Sequence, residues 1–213
     1  MTMARTTPAV TPDLGVPDSG VPDEALLVLY ANGDPGAARE LSRRLVPRTL
    51  GYAARLLGGD RAEAEDVMQE AMLRLWRVAP DWRGGEAKVS TWLYRVVTNL
   101  CTDRRRARVR RATPAGDEMP EVPDGAAGVE ARLIAGDRAA ALEAALAQLP
   151  ERQRQAVVLR HIEGLSNPEI AAVLDLGVEA VESLTARGKR ALAAILSGQK
   201  DALGYSDGGS DDG

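Results

Sequence analysis

The 213-residue chain has no phenylalanine, one cysteine (Cys101) and one histidine (His161). A lone cysteine excludes an intrachain disulfide framework and a multi-cysteine zinc site. A lone histidine excludes a two-histidine metal cluster, so no metal and no cofactor are expected. Lysine is scarce as well: of 27 basic residues, 24 are arginine. A GC-rich coding sequence accounts for that preference as readily as phosphate recognition does. No apolar run reaches the roughly 18 residues that suggest a transmembrane helix. The first 20 residues carry Pro, Thr and Asp where a secretory signal needs an apolar stretch. The expectation is a cytoplasmic protein of a reducing compartment. There is no Walker loop, no Gly-x-Ser-x-Gly and no His-Glu-x-x-His, so a catalytic site is not expected.

What is there begins with charge. The net charge of -4 conceals an asymmetry. From Ala31 to Ala112 there are 17 basic and 10 acidic residues, whereas the remaining chain carries 10 basic and 21 acidic. A basic block between acidic flanks points to a polyanion-binding part.

The periodicity is helical throughout, with no convincing strand alternation. Residues 1–22 hold Pro8, Pro12, Pro17 and Pro22 with little apolar content, and read as a disordered extension. A helix starts at Asp23 and ends at Asn32-Gly33. Asp34 caps a second helix that has Pro35 in its first turn. Gly58-Gly59 breaks the chain, and Asp60 caps a third helix reaching about Val78. Its apolar stripe is Val67, Met68, Ala71, Leu75 and Val78. A loop from Pro80 to Gly85 precedes a fourth helix, from about Ser90 to Arg106 or beyond. Three Pro, three Gly and four acids between Thr113 and Val129 mark a linker. Helical pattern resumes near Ala131. Pro150 opens a helix that stops at Gly164, and Ser166-x-x-Glu169 is a capping-box pattern. The fold class is therefore all-α, with two small helical domains at 23–111 and 134–198. An acidic linker at 112–133 joins them, and an acidic tail occupies 199–213.

Four stretches carry chemistry. Glu169 to Leu184 has the packing of a helix-turn-helix, with Ile170, Ala171, Val173 and Leu174 inward and Asp175-Leu176-Gly177 as the turn. Its second helix would enter the major groove, presenting Glu179, Ala180, Glu182, Ser183, Arg187, Lys189 and Arg190. Two acids near the start of a reading helix repel phosphates, although they can accept from cytosine amino groups. The second stretch, Arg104 to Arg111, holds six arginines in eight residues. That exceeds what a helix C-terminus needs for its dipole and points to phosphate contacts. The third is aromatic: Trp82, Trp92 and Tyr94 lie beside Arg83, Arg95 and Asn99, and aromatics on a basic face can stack on unpaired bases. Trp76 reads as core. The fourth, Asp66-Val-Met-Gln-Glu70, places Asp66, Gln69 and Glu70 on one helix surface and reads as a protein-contact face. Cys101 reads as a small buried residue, and His161 as packing or capping a helix end.

Together these stretches resemble the extracytoplasmic-function (ECF) sigma factors of bacterial RNA polymerase. Asp66-Val-Met-Gln-Glu-Ala71, Arg83-Gly-Gly, Thr91 to Leu100 and Asp103-Arg-Arg-Arg106 look like the family's region 2. Leu149 to Ala156, Leu159 to Ser166, Glu169-Ile-Ala171 and the helix-turn-helix look like region 4. The resemblance implies a role for each surface. Asp66, Gln69, Glu70 and Leu73 would dock on core polymerase. Trp82, Arg83, Trp92, Arg95, Asn99, Arg104, Arg105 and Arg106 would melt the -10 element and hold its flipped base. Glu179, Ala180, Glu182, Ser183, Arg187, Lys189 and Arg190 would read the -35 element. It also implies an anti-sigma partner. The chain departs from the family pattern at Glu179-Ala-Val-Glu-Ser-Leu184, where basic residues are usual, and at the family's phenylalanine positions.

Two other readings compete with a promoter-specificity factor. One is a sigma-like decoy that binds an anti-sigma protein without engaging promoters; the full Arg104–Arg111 cluster argues against it. The other is an independent helix-turn-helix repressor, which would usually dimerise on a palindrome and would leave the Asp66–Glu70 face unexplained.

Overall fold

The computed structural model describes residues 20–83, 88–112 and 130–197. The expectations for residues 1–19, for Gly84-Gly85, for 113–129 and for the tail lie outside the described residues. Eight α-helices make up the described chain: α1 (Asp23–Ala31), α2 (Pro35–Leu56), α3 (Arg61–Val78), α4 (Val89–Ala112), α5 (Glu130–Gln148), α6 (Glu151–Val157), α7 (Asn167–Leu174) and α8 (Val178–Ser197). No strand occurs among the described residues.

The helix ends follow local chemistry. The Asp34 carboxylate accepts from the Gly36 N–H at 2.8 Å, and that of Asp60 accepts from the Glu63 N–H at 3.0 Å. Each satisfies a donor that the first helical turn leaves unpaired. Gly33, Gly58 and Gly59 take positive φ at the breaks between α1, α2 and α3. The loop read after Val78 contains a single 3-10 turn, Ala79–Asp81. Helix α4 runs to Ala112, so the whole arginine cluster is helical. Helix α5 begins at Glu130, inside the stretch read as linker.

Helices α1–α4 enclose Leu27, Leu41, Tyr52, Leu56, Val67, Leu75, Leu93 and Val97, all at most 2% exposed. Removing such side chains from water stabilises by about 1.5–3 kcal/mol each. Tyr52 packs edge-on against Tyr94 at 5.3 Å, and its hydroxyl meets that of Thr98 at 2.9 Å. Cys101 is buried at 1% exposure, as expected, and burial pushes its thiol up to about 12. Helices α5–α8 enclose Leu146, Val158, Leu159, Ile170 and Val181. Between α6 and Gly164 the chain widens into a π turn, Val158–Ile162. His161 is exposed at its end, with a pKa lowered by partial burial and by the Lys189 and Arg160 charges. The two apolar cores form one continuous cluster.

Candidate nucleic-acid interface

The basic end of α4 lies against the acidic start of α3. Arg108 donates to Asp60 at 2.9 Å and also to Glu63. Asp60 is held below its ordinary pKa by the Glu63 N–H and then by Arg108. Arg104 stands 3.7 Å from Asp66. Two of the six arginines are thus engaged by α3 acids. Arg106 and Arg110 are exposed, whereas Arg105 has one guanidinium nitrogen buried with no partner.

One turn further along α3, Asp66, Gln69, Glu70 and Leu73 share a surface, as their spacing requires. Asp66 and Gln69 are exposed, Glu70 pairs with Arg74 at 3.0 Å, and Leu73 is 46% exposed. An open leucine among carboxylates and an amide suits a protein contact rather than a phosphate contact.

The aromatic side chains divide between the core and a half-buried edge. Trp76 packs on Tyr30 with ring centroids 4.5 Å apart, as core. Trp82 and Trp92 meet edge to face at 6.1 Å, and both are half-buried against the core. Tyr94, grouped with them by position, is buried at 3% exposure and does not face solvent. Its ring sits at an inward position of α4 beside Leu93 and Val97. Arg83, next to Trp82 in the chain, is exposed, as are Arg95 and Asn99 on α4.

The helix-turn-helix is built as its pattern requires. The Ser166 hydroxyl accepts from the Glu169 N–H while the Glu169 carboxylate accepts from the Ser166 N–H at 2.8 Å, a reciprocal cap on α7. Asp175 ends α7 at φ 56°, a left-handed conformation that Asp tolerates better than most residues. Ile170, Val173, Leu174 and Val181 are buried, and Leu176 and Leu184 pack partly against them. Gly188 brings α8 onto α6: a Cβ there would lie 2.6 Å from Val157 Cγ2. Glu179, Ala180, Glu182, Ser183, Arg187, Lys189 and Arg190 all face outward. The Glu182 carboxylate accepts from the Asn167 amide at 3.2 Å.

A family model for Sigma-70 region 2 matches residues 41–111, and one for Sigma-70 region 4 matches residues 139–192. Over 172 residues the chain is 38% identical to the ECF RNA polymerase sigma factor SigM of Mycobacterium tuberculosis, spanning 80% of this chain and 83% of that protein. The chain belongs to the ECF sigma factors. It is also 37% identical to ECF sigma factor SigE of Mycolicibacterium smegmatis, over 80% of this chain and 66% of that one. The solved structure of CnrH, in complex with the cytosolic domain of CnrY, aligns at a TM-score of 0.59 and 28% identity. It covers 83% of this chain and 97% of that one. As a sigma factor, the chain is a transcription regulator that gives core RNA polymerase its promoter specificity. No described helix is long and apolar enough to cross a membrane.

In this sigma factor the two regions are packed together. Glu163 of region 4, 6% exposed, is the centre of the seam. Its carboxylate accepts from the Tyr94 hydroxyl at 2.5 Å and lies 3.7 Å from Arg48 and 3.9 Å from Arg55. Its carbonyl accepts from Arg48 at 2.6 Å. Burial, and then the bond to Glu163, raise the Tyr94 pKa. Arg55 also pairs with Glu143 at 2.9 Å, Thr102 donates to Glu151 at 2.9 Å and Lys88 bridges to Glu169 at 2.7 Å. Arg154, 4% exposed, reaches the Leu56 carbonyl across the seam at 3.3 Å. Burial and then the Arg105 charge lower its pKa to about 10. Region 4 therefore stands over part of the α4 face: Arg95, Asn99 and Arg106 line a cleft whose far wall is Arg152, Val173 and Asp175. The Asp66–Leu73 surface and the outer face of α8 remain open.

Proposed function

We propose a division of labour within the sigma factor. The unit at residues 23–111 docks on core polymerase and captures the -10 strand, and the unit at 134–198 reads the -35 element. Asp66, Gln69, Glu70 and Leu73 form the polymerase contact. Arg83, Arg95, Asn99, Arg104, Arg105 and Arg106 hold the backbone and the extruded base of the melted strand. Trp82 and Trp92 supply a stacking edge. Unstacking costs a few kcal/mol per step and is offset by stacking and pocket contacts in the captured strand. No catalytic residue is needed. Residues 179–190 on α8 enter the major groove, with Glu179 and Glu182 as acceptors for base amino groups and Arg187, Lys189 and Arg190 on phosphates.

The observation that supports this reading most is the separation of three outward surfaces. One is acidic and apolar on α3, one is basic on α4 and one is amphoteric on α8. We further infer control by an anti-sigma protein that favours the packed arrangement, as a cytosolic protein. CnrH was solved with a protein partner bound, and the seam described above supplies a compact state for such a partner to hold. The test is run-off transcription with core polymerase on fragmented DNA from the source genome. Specific transcripts that require this chain are the expected result, and their start sites locate both elements. Absence of transcripts together with absence of core binding would overturn the reading in favour of a decoy.

A further inference from the structure

The cleft between the two regions has a volume of about 480 Å³ and is lined by Arg74, Arg95, Arg106 and Arg152 against Asp103 and Asp175. Arg74 is paired with Glu70. Arg95, Arg106 and Arg152 have no acidic partner within ion-pair distance among the described residues. Among the described residues, the one hydrogen bond made by these three guanidinium groups is a long one, from Arg152 to the Leu174 carbonyl at 3.4 Å. The Asn99 side-chain amide opens on the same space and is exposed. A volume of a few hundred Å³ suits a small ligand. Three uncommitted guanidinium groups suit phosphate, which they grip bidentately, and an amide can read the edge of a base.

We propose that this cleft binds a small phosphorylated ligand of nucleotide size, and that the ligand stabilises the packed arrangement. The second half follows from where the walls come from. Arg95, Asn99 and Arg106 stand on α4, whereas Arg152 and Asp175 stand on α6 and at the end of α7. A ligand that needs both walls has higher affinity for the packed state than for the separated one, and can shift the equilibrium only toward the former. Such a ligand would make promoter engagement responsive to a metabolite. The site overlaps the proposed -10 surface through Arg95, Asn99 and Arg106. Arg152 belongs to the cleft alone, so it separates the two ideas.

The experiment is calorimetric titration of the full chain with ADP, GDP and inorganic pyrophosphate at low ionic strength. The variants are Arg152→Ala and, as a control on a distant basic face, Arg187→Ala. Saturable binding by the wild-type chain is expected, with about a tenfold loss in Arg152→Ala and none in Arg187→Ala. Binding of the nucleotides but not of pyrophosphate identifies a base contact, and equal binding of all three reduces the ligand class to phosphate alone. No saturable binding overturns the proposal. Equal weakening by both variants does so too, since that is general charge attraction. Binding untouched by Arg152→Ala confines the ligand to the α4 face and removes the link to packing. None of these outcomes depends on transcripts being made, so a failure of the promoter reading remains distinguishable.

Discussion

Replacing Glu163 by alanine should open the packed arrangement without unfolding either region. The carboxylate accepts from the Tyr94 hydroxyl at 2.5 Å and faces Arg48 and Arg55 at 3.7 and 3.9 Å. Truncation leaves a tyrosine hydroxyl that is buried in the packed state with no acceptor. A hydrogen bond to a charged group contributes about 1.5–3 kcal/mol. Arg48 is 62% exposed, so solvent screens its part and little is added for it. The net effect on the seam is about 2 kcal/mol, or about a 30-fold shift from packed to separated. Glu163→Gln keeps an acceptor for Tyr94 and loses only charge, so it should fall between the two. The assay is energy transfer between dyes on Ala62→Cys and Ala193→Cys, both exposed positions on opposite regions. The native Cys101 will not compete for label, because it is buried and its thiol is held at about 12. Tyr94→Phe closes a double-mutant cycle and isolates the pairwise energy. Unchanged transfer in Glu163→Ala at unchanged helicity, or an effect that is the same with and without the Tyr94 hydroxyl, would show that this bond does not hold the seam.

Four further outcomes are expected. Charge reversal at Asp66 and Glu70 should abolish core-polymerase binding in a pull-down while shifting stability by less than about 1 kcal/mol, since their arginine pairs are exposed; retained binding would move the contact elsewhere. Gly188→Ala should lower the melting temperature by several degrees: its Cβ meets Val157 Cγ2 at 2.6 Å and the Gln153 carbonyl at 3.1 Å, an overpacking of about 1–3 kcal/mol. An unchanged melt would mean that α8 can slide. Glu169 has its pKa lowered to about 2 by Lys88 first and then by Ser166. Its stabilisation is therefore complete above its ordinary pKa of 4.5 and is lost as pH falls toward 2; Glu169→Gln should remove that part of the acid sensitivity in paired neutral and acid melts. Arg187→Ala and Arg190→Ala should each weaken duplex binding evenly across sequences and reduce the salt slope by about one. A sequence-dependent loss would instead make them base readers.

Local chemistry made most of the fold legible. Asp34, Asp60 and Ser166 announce helix starts because a side-chain oxygen there satisfies an unpaired N–H, and each does so in the structure. The helix-turn-helix was legible because its turn and its inward residues are separated by fixed offsets. Its left-handed residue was not, since Asp175 occupies a position where glycine is the usual signal. Tyr94 was misplaced for a related reason. Periodicity puts it on α4 among aromatics, and nothing in the local sequence says that its hydroxyl has a buried acceptor 69 residues away. The seam as a whole is invisible to any window of sequence. Arg48 and Arg55 on α2, Tyr94 on α4 and Glu163 after the π turn are unremarkable polar residues on three separate stretches, and only the docking of one region on the other gives them a common role.

That docking sets α4 against itself. One helix carries the buried Tyr94 that holds region 4 in place, the exposed Arg95 and Asn99 that region 4 overhangs, and the arginine cluster in which Arg104 and Arg108 are tied to acids at the start of α3. The surface proposed for the -10 strand is therefore the one that the packed state partly covers, while the face proposed for polymerase contact and the outer face of α8 stay open. On the proposed assignment, polymerase meets the Asp66–Leu73 surface without first separating the regions, whereas strand capture waits until they part. If docking also draws Asp66 away from Arg104, the same contact releases a cation toward DNA. The order implied is core binding first, separation second and strand capture last. It predicts that Glu163→Ala accelerates strand capture more than it strengthens core binding, and comparable effects on both would place separation before polymerase arrives.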